Sequence, residues 1–325
     1  MKRFLKSEAG ATVIWILAAL LIAAVAAPWV YQAGKNLGQV AATQELSAFW
    51  EWLGKACGRS KLERYFSRCF SGSVLLLLPF LFWRIRRIRA GAGVVAVKRT
   101  RMPWKSALTQ IAVGCVIAGG ILWATGMILE ALGAYKPEPN ATTIGSLMKR
   151  ILIPAIAASL LEEWLFRGVL LGLWLKFTKP LSACIGVSFF FAFVHFLAPP
   201  AGSPILNPAA PTAGFELLGK ILLHFANPTF FVTDFATLFM VGMILAWARL
   251  RTGALWFSIG LHAGWIAAFK GFSILHRAVE DHALRPWGVG DSLRAGLIPM
   301  FALALTALIC YFALKFFTPS NRASR

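Results

Sequence analysis

The chain reads as an all-α polytopic membrane protein with about eight transmembrane helices. Three observations predict this. First, 58% of the residues are apolar and only 14% are charged, against about 45–50% and about 25% in soluble domains, and the mean hydropathy is +0.68. Second, the apolar residues gather in blocks of bilayer length. Third, the 33 Lys and Arg residues, set against 13 Asp and Glu for a net charge of +20, cluster between those blocks. An ordinary soluble enzyme and a disordered basic tail do not have this composition. A nucleic-acid partner is not expected either, because such binders expose polar, base-facing surface.

A helix needs about 20 mostly apolar residues to cross a bilayer. The expected spans are 11–30, 69–83, 107–132, 151–175, 181–198, 230–248, 254–269 and 295–317. The first follows Lys2, Arg3 and Lys6 but lacks a small-residue cleavage site, so it is read as a retained helix. The second is short and contains Pro79. Between the second and third spans lie Arg84, Arg86, Arg87, Arg89, Lys98, Arg99, Arg101 and Lys105, without an acid. Basic loops stay in the cytoplasm, which predicts both termini there as well. Segment 31–68 departs from the rule: it is basic yet falls on the outer side. It carries Phe49, Trp50 and Trp52 among its charges and is read as an amphipathic helix on the membrane surface. Segment 199–228, rich in Pro, is read as an outer loop with a short helix.

Two regions follow: residues 1–105, with two spans and the amphipathic basic segment, and residues 106–325, with the remaining spans. With so few acids, an acid inside an apolar block calls for explanation, since a charge at mid-membrane is costly and faces a cavity or a partner. Glu162 and Glu163 sit at the middle of block 151–175. Glu163 and Arg167 are spaced i, i+4 and share a face, so they can pair and lower each other's cost. Glu162 points about 100° away from that pair, free to face a cavity and exchange a proton with water. His195 and His262 lie on two further blocks, and Asp234 sits near the start of a third, where it is read as a helix cap. From the residues alone the arrangement also suits a structural ion pair, or a proton relay in a proton-coupled transporter. No inverted repeat of the transporter type is visible.

The run Glu162-Glu163-Trp164-Leu165-Phe166-Arg167 resembles the EExxxR motif of the CAAX-protease and bacteriocin-processing (CPBP, Abi) family of intramembrane proteases. Phe191-Ala192-Phe193-Val194-His195 is similar to its FxxxH motif, and His262 opens a segment similar to its third motif. The resemblance covers about residues 145–270. It implies an endopeptidase of the membrane, expected in the bacterial inner (plasma) membrane, acting on a membrane-associated protein or peptide. It implies that Glu162 activates a water, His195 helps hold it, His262 stabilises the oxyanion, and Glu163, Arg167 and Phe191 support them. Members of the family have been called metalloproteases, and Glu162, His195 and His262 would be the zinc set. The HExxH signature is absent, and a glutamate-and-water mechanism without a cofactor is favoured. One departure stands out: Ile266 occupies the place where the family has Asn, a hydrogen-bond donor. That leaves a non-catalytic binder, such as a bacteriocin-immunity protein, as an alternative.

Overall fold

The computed structural model describes residues 7–90, 103–139, 143–176, 178–197 and 205–317. Lys2, Arg3, Lys6, Lys98, Arg99 and Arg101 of the topology argument, and the end of the basic tail, lie outside the described residues. In chain order the helices are α1 (Glu8–Thr43), α2 (Ala48–Arg59), α3 (Leu62–Leu76), α4 (Leu78–Ala90) and α5 (Trp104–Ala131). After the short strand β1 (Tyr135–Pro137) come α6 (Ile144–Trp174), α7 (Pro180–His195), α8 (Ala213–His224), α9 (Pro228–Thr252) and α10 (Trp256–Leu275). Strand β2 (His276–Ala278) and α11 (Leu297–Phe317) close the described chain. The chain forms two compact units, one from Met1–Val97 with His195–Asn227, the other from Lys98–Val194 with Pro228–Arg325.

Among the described residues, six stretches are long and apolar enough to cross a membrane: Gly10–Thr43, Leu62–Ile88, Trp104–Ala131, Ile144–Trp174, Pro228–Thr252 and Leu297–Lys315. The architecture is thus the expected all-α, polytopic one. The other two expected spans coincide with α7, an apolar helix of 16 residues, and α10, of 20 residues. Helix α10 carries His262 and Lys270 and is walled in by protein. Phe257, Leu261, His262, Trp265 and Phe272 are all buried, so its outer surface need not be as apolar as that of a lipid-facing helix.

In the first unit, α1 is capped by Ser7, whose hydroxyl accepts from the Gly10 N–H at 3.0 Å. Gly38 and Gly54 let α2 lie against it: a Cβ on Gly38 would stand 2.8 Å from Gly58 Cα, and one on Gly54 2.4 Å from Ala41 Cβ. Tyr65 of α3 meets Tyr31 of α1 edge-to-face, with ring centroids 5.5 Å apart. Segment 31–68 is therefore not one surface helix. Its start continues α1, α2 is a separate helix, and α3 opens the candidate span Leu62–Ile88 while burying Leu62, Tyr65, Phe66 and Phe70. A helix does form in segment 199–228, as α8.

The second unit is built on α5 and α10, which run parallel in contact. Gly114 lies against Phe257 and Leu261, Gly119 against Gly264, and Gly126 against Phe272, so numbers rise together along both helices. A Cβ on Gly260 would stand 2.3 Å from the Ile111 carbonyl oxygen, and one on Gly264 2.4 Å from that of Cys115. Only glycine permits this approach, as is common between membrane helices. Both helices then deliver the chain to an antiparallel strand pair, Tyr135 opposite Ala278 and Pro137 opposite His276. Helix α6 runs the other way: Ile151 lies near Gly271, whereas Glu163 meets His262. Helix α7 turns back again, with Gly186 against Trp174 and Phe191 against Arg167. Helix α9 reaches α10 through Gly253, which takes φ +68° and donates its N–H to the Arg249 carbonyl, a glycine-capped helix end.

Candidate functional site

At its middle, α6 changes winding. Residues Ile144–Glu162 are α-helical and Glu163–Leu170 form a π-helical turn. Such i→i+5 turns are rare, and they recur at functional sites. The change falls between the two adjacent carboxylates singled out in the sequence. Glu163, Phe166, Arg167 and Leu170 face inward and are buried, while the Glu162 side chain keeps 25% of its accessible surface.

Arg167 and Glu163 form an ion pair with both side chains at 0% exposure: Nη1 donates to Glu163 Oε1 at 2.8 Å. Arg167 Nη2 donates to the Gly242 carbonyl at 3.2 Å. The guanidinium carbon sits 4.3 Å from the centroid of the Phe191 ring, a cation–π contact made in a dry site. Phe191 itself meets Phe166 edge-on at 5.1 Å between centroids. Glu163, Arg167 and Phe191 thus meet one another, and with them a group the sequence did not reveal, the backbone of Gly242. The signal is a glycine within an apolar span. A Cβ there would stand 2.8 Å from Ser188 Cβ, so the glycine lets α9 approach α7 and brings its carbonyl to Arg167.

His262, on α10, stands between the two glutamates. Its Nδ1 lies 3.0 Å from Glu163 Oε1, and its Nε2 faces Glu162 Oε2 at 3.7 Å. Glu163 accepts from Arg167 through the same oxygen, and Nδ1–H is read as the donor to it. The ring is further held by Phe191, edge-on at 5.8 Å between centroids. The Nε2–Glu162 separation is too long for a direct hydrogen bond. Glu163 thus meets His262 as well as Arg167 through one oxygen.

His195 is the last residue of α7, one turn past Phe191, and is grouped with the first unit. Ile266 lies one turn past His262 on α10 and is half-buried. Asp234 sits in a second π-helical turn, Phe231–Phe235, and accepts a 2.8 Å hydrogen bond from the Thr233 hydroxyl. Among the described residues no group of three or more His, Cys, Asp or Glu side chains could hold a metal ion.

Residues 144–268 match the family model described as "Type II CAAX prenyl endopeptidase Rce1-like". The match begins and ends within a few residues of the region that carries the three motifs, and it takes in Glu162, Glu163, Arg167, Phe191, His195 and His262. No curated protein and no solved structure matches the chain significantly.

Proposed function

We propose that the region matching type II CAAX prenyl endopeptidases makes this chain an intramembrane endopeptidase, which hydrolyses a peptide bond of a membrane-associated protein or peptide. The observation that carries the reading is the meeting of Glu162 and His262. A partly exposed carboxylate and a buried imidazole converge at 3.7 Å, and the imidazole is held by a buried ion pair. That separation is too long for a direct hydrogen bond between them, and the proposed reaction places the attacking water on the Glu162 carboxylate.

In the proposed reaction, Glu162 takes a proton from this water as the oxygen attacks the scissile carbonyl. It then returns the proton to the leaving amine, the usual cycle of a general base. His195, by its correspondence to the family motif, helps hold the water. His262 stabilises the tetrahedral oxyanion. Its Nδ1–H is already committed to Glu163, so Nε2 donates only from the imidazolium. That form brings Glu162, Glu163, Arg167 and His262 to zero net charge together. With Ile266 in place of an Asn donor, this charged donor supplies the stabilisation that family members share between two groups. One oxyanion donor is worth about 10²–10³ in rate in other enzymes.

The same Ile266 favours a second reading, a non-catalytic binder with an incomplete oxyanion site. One experiment separates the two. Membrane peptides and protein C-termini are compared in cells carrying the wild-type chain or Glu162→Gln, with insertion and thermal stability checked for both. The enzyme reading expects one or more uncleaved species to accumulate in the variant at unchanged protein level. Identical peptide profiles, with the variant folded, would sink the mechanism and leave the binder.

A further inference from the structure

The first unit carries a feature that the hydrolytic site does not use. Helix α2 ends at Arg59 and α3 begins after Lys61, and the junction forms a shallow open cleft of about 440 Å³. The cleft is lined by Arg59, Lys61, Glu63, Arg64 and Ser67. Arg59, Lys61 and Arg64 are exposed, and among the described residues none of them is in an ion pair. Three cations thus face one carboxylate, Glu63. Lys61 stands at the N-cap of α3 without a side-chain cap hydrogen bond, so the positive end of the helix dipole adds to the field there.

Depth in the membrane follows from the neighbouring residues. The apolar stretch Leu62–Ile88 begins at this junction, which sets the cleft at headgroup level. On α2, Phe49, Trp50 and Trp52 are 60%, 50% and 64% exposed, and Phe49 contacts both tryptophans. Exposed aromatic clusters of this kind settle at the membrane–water boundary. An aromatic anchor on α2 and a cleft where three cations outnumber one carboxylate, at the start of a candidate span, are complementary to a phosphate that is itself tied to the bilayer.

We propose that Arg59, Lys61 and Arg64, at the α2–α3 junction, form a binding site for the phosphate of an anionic phospholipid headgroup. This also accounts for the basic character of segment 31–68, which the distribution of basic residues between spans leaves unexplained. Three of its six cations then serve a lipid and do not set orientation.

The test uses the full-length protein, purified and delipidated, and titrated with dioleoyl phosphatidylglycerol or dioleoyl phosphatidylcholine while bound lipid is counted by native mass spectrometry. Each basic residue near an anionic lipid surface contributes about fivefold in affinity. The wild type is expected to bind the anionic lipid at least tenfold more tightly. The triple variant Arg59→Gln, Lys61→Gln, Arg64→Gln is expected to bind both lipids alike. Glu63→Gln, which removes the opposing charge, is expected to tighten binding of the anionic lipid about fivefold. If the triple variant keeps the wild-type preference, the site is overturned. Should the triple variant fail to fold, Glu63→Gln decides alone, and unchanged or weaker binding overturns the proposal. Inorganic phosphate is the competitor arm. Displacement of the lipid at equal concentrations would mean that the site takes free phosphate, and would overturn the lipid assignment.

Discussion

Arg167 is the residue on which the second unit's polar interior depends. It is 1% exposed and at once donates to Glu163, donates to the Gly242 carbonyl and covers the Phe191 ring. Removing one partner of a buried ion pair strands the other charge, at a cost of about 3–5 kcal/mol. Arg167→Ala is therefore expected to destabilise the protein by that order in thermal unfolding in detergent. Arg167→Lys should recover little, because one ammonium cannot span the carboxylate and the carbonyl as the planar fork does. The double change Glu163→Leu, Arg167→Met removes both charges and should restore most of the stability. It should not restore the proposed cleavage, because the His262 ring then loses its Glu163 partner. Recovery of both properties would show that Glu163 serves only the ion pair. The Glu163–Arg167 pair was legible in the sequence because it is a local i, i+4 relation. The bond from His262 to Glu163 was not, because it joins residues far apart in the chain and depends on how α10 lies against α6.

At the scale of elements, the position of His262 is set by glycines. It sits on α10 between Gly260 and Gly264, which rest on the backbone of α5 at Ile111 and Cys115. Gly264→Ala would place a Cβ 2.4 Å from the Cys115 carbonyl oxygen and must push α10 away. Overpacking of this kind costs about 1–3 kcal/mol. The variant is expected to lose stability by that amount and also to lose cleavage, since His262 moves with its helix. Gly120, on α5, supplies the control: a Cβ there meets nothing within 4 Å, so Gly120→Ala should leave both properties intact. Equal effects of the two substitutions would show that helix propensity, and not contact, controls the loss. The apolar blocks announced these helices, but their faces did not, because a glycine in an apolar run reads the same toward lipid as toward a partner. The π-turn was equally hidden. Its i→i+5 bonding, beginning at Glu163, is a compromise with packing that no local preference encodes.

At the scale of the whole molecule, the question is whether α7 and α10 cross the membrane although neither is among the six long apolar stretches. Within the second unit the contacts argue that they do. Helix α10 runs parallel to α5 along its length, from Gly114 beside Phe257 to Gly126 beside Phe272, and α5 is itself a candidate span. Helix α6 runs opposite to α10, and α7 opposite to α6, so the chain changes direction at each connection. Helix α10, sheltered by its neighbours, needs less lipid-matching surface, whereas α7 exposes Leu181, Ile185 and Phe189 and falls short in length alone. The alternation puts Lys136 and Arg277, opposite each other in the strand pair, at one end of the unit. Arg251, at the close of α9, and Lys176, after α6, stand at the other end. On the orientation expected from the basic loops, the second end would face the cytoplasm. An impermeant thiol reagent added to intact cells should therefore label Lys136→Cys and Arg277→Cys above the background of the five native thiols, and should leave Arg251→Cys and Lys176→Cys unmodified until the cells are opened. The inverse pattern would keep the fold and reverse the orientation. Labelling of Arg251→Cys together with Arg277→Cys would mean that α10 does not cross, and the alternating architecture would have to be abandoned.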